Sequence, residues 1–496
     1  MSIEHVDVLI VGAGLSGIGA ARHLQRNCPG KTFALLEARD RMGGTWDLFT
    51  YPGIRSDSDM YTLGYSFRPW QGAKAIADGP SILSYIRETA AEGAIEDHVR
   101  FNHQAVSADF SSEDARWTVK VARTDTQETV GMSCDFLMVC SGYYDYTEGF
   151  TPDFPGMESF AGRIVHPQHW SEDVDYADKR VVVIGSGATA VTLVPVMAQT
   201  AAHVTMLQRS PTYVVSLPAE DPIAHLLRRM LPPRLAYLLV RWKNVLLTMG
   251  SYQLSRRRPK LVKALLRRGV RRRLPAGYDL KHFSPRYDPW DQRLCVVPDG
   301  DLFEAIGEGR ASIETDRIDT FTETGLKLVS GKELDADVIV TATGLNLVAL
   351  GGMDLAVDGR EVDLAETMTY NGMMLSGVPN MALALGYTNA SWTLKCDLIC
   401  EYVCRLLNHM DAHGYQQCMP ENRDGSIGEE PFMGLSSGYV LRSIDKFPKQ
   451  GSRAPWRARQ NYILDTVAFR REIEDGAIRF SRVQSAPKEL APLAAA

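Results

Sequence analysis

Two glycine-rich turns are the segments most able to do chemistry, because a glycine turn that opens a helix binds nucleotide phosphates. Gly12, Gly14 and Gly17 follow an apolar stretch and begin a helical pattern. The first glycine makes the turn, the second lets the backbone approach a pyrophosphate, and the third lets the helix pack on the strand. Glu37 ends the next predicted strand, where a carboxylate binds the hydroxyls of an adenosine ribose.

The segment Val181–Ala190 repeats this pattern and predicts a second nucleotide site. Gly185 and Gly187 form its turn, and Ala188 and Thr189 open its helix. We therefore expect a second pyrophosphate to bind at these residues.

The next predicted strand of this second unit ends in Arg209 and Ser210 instead of an acid. A carboxylate would repel the 2′-phosphate of NADPH, whereas a guanidinium pairs with it and a hydroxyl adds a hydrogen bond. The second site is predicted to prefer NADPH over NADH. A solvated surface arginine is the alternative interpretation of Arg209.

Both units end alike, with an acidic residue, a short apolar run and a small residue before glycine, at residues 135–142 and 337–344. The predicted fold class is α/β, with two nested Rossmann-like dinucleotide-binding domains. We place the first part of the first domain at residues 1–148 and the second domain at 149–340. The second part of the first domain follows at 341–496, with a C-terminal substrate or lid region.

A basic helical insert is predicted in the second domain, at about residues 222–286. It holds 17 Lys and Arg residues and one acid, Asp279, although the whole chain has a net charge of −6. Leucines between these cations predict basic amphipathic helices, which can lie in a membrane interface. One hypothesis is therefore a peripheral membrane contact that feeds apolar substrate to the site. The other is an intramolecular subdomain whose cations neutralise the acidic remainder and help to attract NADPH.

The overall composition excludes several classes of protein. With 45% hydrophobic and 23% charged residues the chain should fold, and its net charge of −6 argues against nucleic-acid binding by the molecule as a whole. We find no apolar run long enough for a transmembrane helix and no secretion signal. The eight cysteines form no CxxC pair, so we expect a cytoplasmic location.

Residues 43–57 combine Gly43-Gly44-Thr45-Trp46 with Tyr51-Pro52-Gly53 and Asp57. This spacing resembles the longer of two Baeyer–Villiger monooxygenase signatures. Phe160–Trp170 resembles the shorter signature, with Ser171 in place of its final Pro or Asp. Over nearly its whole length the chain is similar to class B flavoprotein monooxygenases of the Baeyer–Villiger type, and most similar to their ethionamide-activating branch.

The resemblance implies that the first domain binds FAD, that the second binds NADPH, and that the reaction uses O2. In this family a C4a-peroxyflavin inserts oxygen into an apolar ketone to give an ester, and we also expect oxygenation of sulfides and thioamides. The segment that wraps the flavin in these enzymes corresponds here to Gly44, Thr45, Trp46, Asp57 and Tyr61.

A fixed cation is what this chemistry needs from the protein, because negative charge develops beside the reacting oxygen. The resemblance assigns this catalytic role to Arg293, with Asp57 as the carboxylate that orients it. Similar enzymes carry Lys-Arg-Pro at this point, whereas Gln292 and Leu294 flank the arginine here.

We expect no metal ion. His166 and His169 have no nearby Cys or carboxylate to complete a tetrahedral set, and cysteines at helical spacing, as at residues 396, 400 and 404, are typical of a core. His166 could act as an acid or base near neutral pH. In similar enzymes its motif lies between the two nucleotide domains, so we favour a hinge and packing role for it.

Three alternative functions remain open on the sequence. A long-chain alkane hydroxylase or long-chain ketone monooxygenase would share the fold. A non-oxygenating flavoprotein reductase of the disulfide type would need a cysteine pair beside the flavin, and residues 43–46 contain none. A nucleotide-sensing or membrane-associated scaffold would bind FAD without oxidising NADPH. The substrate and the oligomeric state are not predicted.

Overall fold

The computed structural model describes residues 3–483, so the end of the predicted segment 341–496 lies outside the described residues. The described strands, in chain order, are β1 (Glu4–Val11), β2 (Phe33–Leu36), β3 (Val99–Arg100), β4 (His103–Ser111), β5 (Arg116–Arg123), β6 (Thr129–Val139), β7 (Tyr144–Gly149), β8 (Arg163–Val165), β9 (Arg180–Ile184), β10 (His203–Gln208), β11 (Val214–Leu217), β12 (Cys295–Pro298), β13 (Ala311–Thr315), β14 (Ile318–Thr322), β15 (Gly325–Leu328), β16 (Glu333–Asp335), β17 (Val338–Thr341), β18 (Leu345–Leu347), β19 (Asp354–Val357), β20 (Arg360–Glu361), β21 (Met368–Tyr370), β22 (Met374–Leu375), β23 (Met381–Leu383), β24 (Gln417–Pro420), β25 (Glu429–Pro431), β26 (Lys449–Gly451) and β27 (Ile478–Ser481). The α-helices are α1 (Leu15–Asn27), α2 (Thr45–Leu48), α3 (Met60–Leu63), α4 (Gly79–Glu92), α5 (Ala188–Met197), α6 (Pro222–Met230), α7 (Pro233–Arg257), α8 (Pro259–Arg273), α9 (Asp301–Gly307), α10 (Trp392–His413), α11 (Gly438–Leu441) and α12 (Tyr462–Ala468).

The first sheet has nine strands. Eight follow the order β20-β19-β4-β5-β6-β1-β2-β3, and β23 pairs with the end of β6. β1 runs parallel to both β2 and β6, and Val8 lies opposite Phe33 on one side and Phe136 on the other. Helices cover these central strands, which explains why their sequences are almost continuously apolar. The chain leaves this sheet after β6 and returns to it at β19.

The second sheet has five parallel strands in the order β13-β10-β9-β17-β8. Its unit β9-α5-β10 repeats the β1-α1-β2 unit of the first sheet, and its core packs α5 and α9 against the strands. Because the second sheet is built from chain that lies between β6 and β19, one domain is nested in the other. The predicted fold class is confirmed.

The basic insert forms α6, α7 and α8, between the parallel pair β11 and β12. The carboxylate of Asp221 caps α6 by accepting hydrogen bonds from the backbone N–H groups of Ile223 and Ala224. The buried side of α7 packs on α3 of the first domain. Among residues 3–483 no helix is both long enough and apolar enough to cross a membrane.

Candidate active site

A cavity of about 700 Å³ lies at the carboxyl ends of β1, β2 and β6. In parallel sheets this is the edge at which ligands bind. Both glycine-rich segments of the first domain line it, together with Glu37, Tyr143, Arg293 and Trp392. The cavity therefore collects residues from distant parts of the chain.

Backbone contacts at the first glycine turn leave no room for side chains at Gly12 and Gly17. Gly12 has a φ of +101°, and a Cβ there would lie 2.9 Å from the carbonyl oxygen of Cys140. A Cβ on Gly17 would lie 1.9 Å from the carbonyl oxygen of Gly12, so Gly17 holds α1 against the turn. Gly14 is the N-cap of α1 and supplies no side-chain cap, which leaves the first N–H groups of the helix for an anion.

Glu37 is fixed at the end of β2 with only 6% of its surface exposed. Its Oε2 accepts a hydrogen bond from the N–H of Ala13 at 2.9 Å, and its Oε1 accepts one from the N–H of Arg39 at 3.1 Å. Burial raises the pKa of Glu37, and these two donors oppose the shift. The carboxylate is held at the cavity wall, where a ribose would need it.

The second glycine-rich segment closes against the first turn. Gly44 has a φ of +56°, and a Cβ there would lie 3.0 Å from the Cα of Gly14. The hydroxyl of Thr45 lies 3.0 Å from that of Tyr146, and Thr45 and Trp46 both line the cavity. The buried hydroxyl of Ser141, a further cavity residue, has no hydrogen-bond partner among the described residues. Glycine backbone without side chains allows a dinucleotide to approach closely, and the free hydroxyl of Ser141 can hydrogen-bond to it.

Arg293 and Asp57 meet at the cavity wall. Nη1 of Arg293 lies 3.2 Å from Oδ2 of Asp57, and Nη2 donates to the hydroxyl of Tyr143 at 3.4 Å. The Arg293 side chain is 31% exposed, and it lines the cavity. Desolvation opposes its charge, but Tyr143, Tyr439 and Asp57 together raise its pKa well above the ordinary value. Arg293 is therefore a permanent cation facing the cavity.

Tyr143, which lines the cavity, is a functional candidate that the sequence did not reveal, and Tyr439 is a further neighbour of Arg293. Tyr143 follows the small-residue step at the end of β6, and Tyr439 lies in α11. Neither belongs to a recognisable motif, so a spacing argument could not find them. The available signal for Tyr143 was the small-residue step Ser141-Gly142 after β6, because the chain reaches the cavity there.

The second glycine turn is open to solvent. Gly185 has a φ of +140°, and a Cβ there would lie 2.3 Å from the carbonyl oxygen of Ala342. Gly187 is the N-cap of α5 and supplies no side-chain cap, and a Cβ at this position would have no neighbour within 4 Å. Gly187 and Ala188 are exposed, so the N–H groups at the start of α5 are accessible to an anion.

Arg209 and Ser210 are exposed directly after β10. The carbonyl of Ser210 accepts a hydrogen bond from the hydroxyl of Ser186 at 3.1 Å, which ties this strand end to the second glycine turn. Arg209 is thereby placed beside the turn, at the position from which a 2′-phosphate is recognised in this fold.

Two contacts join the cavity to the second turn. Cys295, two residues after Arg293, places its sulfur 3.7 Å from the carbonyl oxygen of Ser186. The hydroxyl of Tyr51 faces Thr189, and Tyr51 lies in the same loop as Asp57. Arg293 and Asp57 are thus both carried by segments that contact the second glycine turn.

Tyr61 is not among the residues that line the cavity. It lies in α3 with 1% of its surface exposed, and the guanidinium of Arg228 sits 4.9 Å from its ring centre. Asp59 caps α3 and fixes its orientation, which turns Tyr61 into the packing beneath the insert. The sequence could not show this, because the insert that covers Tyr61 is far away in the chain.

His166 lies where the chain crosses between the sheets. Its Nδ1 accepts a hydrogen bond from the N–H of Gln168 at 3.1 Å, and its Nε2 lies 3.2 Å from the carbonyl oxygen of Gly344. Burial lowers the pKa of His166, which favours the neutral ring. Within residues 3–483 no three His, Cys, Asp or Glu side chains are grouped to hold a metal ion.

The chain is similar to known flavin-dependent monooxygenases over nearly its whole length. A model of flavin-binding monooxygenase-like proteins matches residues 75–350, and one of NAD(P)-binding Rossmann-like domains matches residues 10–74. The chain is 56% identical over 482 residues to the FAD-containing monooxygenase EthA of Mycobacterium tuberculosis, covering 97% of this chain and 98% of that protein. It is 48% identical over 482 residues to the probable FAD-binding monooxygenase AlmA of Acinetobacter baylyi, covering 97% of each.

Two solved structures share the fold. An oxidised steroid monooxygenase bound to NADP superposes with a TM-score of 0.76 at 23% identity, covering 96% of this chain and all of that one. The OTEMO complex with FAD and NADP superposes with a TM-score of 0.70 at 24% identity, covering 85% and 87% of the two chains.

Proposed function

The chain belongs to the flavin-binding monooxygenase-like family, and from this premise we propose that it is a Baeyer–Villiger monooxygenase acting on apolar ketones. It is a flavin-dependent NADPH monooxygenase that uses FAD, O2 and an organic substrate. The Baeyer–Villiger proposal rests on the Arg293–Asp57 pair, which faces the cavity. Residues near this pair, Cys295 and Tyr51, contact the second glycine turn.

We propose that FAD occupies the first site. The N-terminus of α1 at Gly14 would take the pyrophosphate, and Glu37 would take the ribose hydroxyls. Thr45 and Trp46 would lie along the flavin. NADPH would bind at the second turn through the N-terminus of α5, with Arg209 and Ser210 at its 2′-phosphate. The predicted domain boundaries, 1–148, 149–340 and 341–496, are part of this proposal.

When bound and reduced by NADPH, FAD would supply the electrons that activate O2, one atom of which is transferred to the substrate while the other leaves as water. The protein contributes the electrostatics. Arg293 holds a fixed positive charge where negative charge develops in the reaction. In a site that excludes water, such a charge strongly stabilises the developing anion. Asp57 orients the guanidinium and balances its charge. The hydroxyl of Tyr143 fixes the other side of Arg293, at 3.4 Å from Nη2.

Product analysis tests this function. Purified FAD-loaded enzyme is incubated with NADPH and short linear, long linear and cyclic ketones, a sulfide and a long alkane, and the products are separated by gas chromatography. Esters from ketones support the proposal, and a sulfoxide supports the additional sulfur oxygenation. Alcohols from alkanes without any ester would contradict it and favour the alkane hydroxylase.

We also propose a cytoplasmic enzyme whose basic insert contacts the cytoplasmic face of a membrane. All eight cysteines are buried free thiols, as expected in a reducing compartment. The insert combines exposed cations with exposed leucines, which is the composition of an interfacial helix.

Replacing Arg209 with alanine should raise the KM for NADPH by roughly 10- to 100-fold, because a charge-assisted hydrogen bond to phosphate is lost. The KM for NADH, which has no 2′-phosphate, should change little. Steady-state kinetics with both cofactors measures the difference. Equal increases for the two cofactors would contradict the assignment of Arg209.

Replacing Gly187 with alanine should weaken NADPH binding while leaving the fold intact. The added Cβ meets no protein atom within 4 Å, so any loss reports on the close approach of a ligand to this backbone. We expect the Kd for NADPH to rise at least about tenfold at an unchanged melting temperature. Normal NADPH affinity in this variant would place the pyrophosphate elsewhere. Gly250→Ala is the matched control, because a Cβ at Gly250 also has no neighbour within 4 Å.

A further inference from the structure

The helical insert exposes an apolar surface that the fold does not cover. Leu235, Leu238, Leu239, Trp242 and Leu246 follow one another along α7 at helical-face spacing, and each is at least 41% exposed. The ring of Trp242 lies 6.0 Å from that of Tyr462, the first residue of α12. We call these five leucine and tryptophan residues of α7 the outer apolar face.

The opposite side of α7 is already occupied. Ala236, Val240 and Asn244 are buried there, and the helix packs on α3. The leucine-rich side has no covering element among the described residues. Within residues 3–483, large exposed hydrophobic residues number 19, and 12 of them lie in the insert helices. This concentration shows that the exposure is a property of the insert and not of the whole surface.

In the described part of the chain, most cations of the insert have no carboxylate partner. Of the 17 basic residues of the insert, Arg241, Lys243, Arg256, Lys263 and Lys281 lie within 4 Å of a carboxylate in the described part of the chain. The remaining cations include the exposed Arg229 and Arg234, at the junction of α6 and α7. Intramolecular neutralisation therefore accounts for a minority of the insert's charge.

We propose that the outer apolar face docks on the surface of an anionic lipid bilayer. The leucines and Trp242 would enter the boundary between headgroups and acyl chains, and the unpaired cations would lie at the lipid phosphates. A second copy of this chain fits the face poorly, because it would bring two sets of unpaired cations together. The inference deepens the membrane contact proposed above by assigning it to named residues of α7. It also rests on the proposed function for its apolar substrate, which would be concentrated at such a surface.

The outer apolar face lies near the cavity, as delivery of an apolar substrate from a bilayer requires. Val245 and Met249 of α7 border a small void beneath the helix, and Ala390 borders both this void and the cavity. The docked face would therefore hold the cavity close to the bilayer surface, separated from it by one helix.

Vesicle sedimentation of the FAD-loaded full chain tests the proposal. We expect binding to vesicles of phosphatidylcholine with phosphatidylglycerol at low salt, and weakening of roughly tenfold in 0.5 M NaCl. The variant Leu238→Ser/Trp242→Ser/Leu246→Ser should bind at least about tenfold more weakly. The matched control, Ile3→Ser/Leu217→Ser/Val329→Ser, changes three exposed apolar residues outside the face and should bind like the wild type.

Three results would overturn the proposal. They are no binding to anionic vesicles at low salt, equal binding by the face variant and the wild type, and wild-type self-association that the face variant abolishes in sedimentation velocity runs. FAD content and melting temperature show that each variant is folded. Ester formation from a water-soluble ketone is measured without vesicles, so a failed activity and a failed membrane contact are told apart.

Discussion

Replacing Arg293 with alanine is expected to lower the rate of ester formation by roughly 10²- to 10³-fold while FAD stays bound. Loss of one preorganised donor to a developing anion costs about 2.7–4 kcal/mol of transition-state stabilisation. Arg293 is held by Asp57 and Tyr143 and lies outside the glycine turns that would bind the nucleotides, so the cofactor sites should survive. Gas chromatography measures the ester formed, and absorbance measures the NADPH oxidised in parallel. Their ratio gives the fraction of NADPH oxidation that is coupled to oxygenation.

Two further variants separate charge from geometry at this position. Arg293→Lys keeps the positive charge but loses the paired contacts to Asp57 and Tyr143, so we expect activity between those of the wild type and the alanine variant. Tyr143→Phe removes only the 3.4 Å hydrogen bond and should have the smallest effect. Near-normal ester formation by Arg293→Ala would show that another group stabilises the charge.

The second large effect is expected for Gly17→Ala. The added Cβ would lie 1.9 Å from the carbonyl oxygen of Gly12, and neither can turn aside, because the oxygen is part of the backbone and Cβ is attached directly to it. α1 and the turn must therefore move apart, which displaces the helix N-terminus from the pyrophosphate position. We expect the purified variant to retain little FAD and to melt at a lower temperature, because overpacking of this kind typically costs about 1–3 kcal/mol.

The flavin absorbance of the purified protein, relative to its absorbance at 280 nm, measures this loss. Gly30→Ala is the matched control, since Gly30 is exposed and a Cβ there meets nothing within 4 Å. A Gly17→Ala variant that purifies with a full complement of flavin would contradict the proposed FAD site.

The two predictions draw on different kinds of information. Gly17 could be singled out from spacing alone, because a strand, a tight turn and a helix start are local features of about a dozen residues. The same reasoning located Gly185 and Glu37, and the structure places each at the end of a parallel strand. Arg293 required the resemblance to a family, because an arginine in a loop carries no local signal of its function.

Tyr61 shows the limit of carrying a motif over residue by residue. Its position in the motif suggested a contact with the cofactor, but α3 turns it away from the cavity and under Arg228 of the insert. The helical insert shows a second limit. Its cations and leucines were visible in the sequence, whereas the sequence could not show that α7 would bury one side on the first domain and leave its leucine-rich side exposed.

The sequence by itself determined the two glycine turns, the acid and the arginine that are predicted to distinguish their ligands, and the nesting of one domain in the other, because all of these depend on short-range spacing and chain order. Only the tertiary structure decided that Tyr143 joins Asp57 and Arg293 at one cavity wall and that Tyr439 lies near Arg293. These residues come from segments separated by up to several hundred positions. Packing of whole sheets and helices sets the distances between such segments, and no local pattern encodes them.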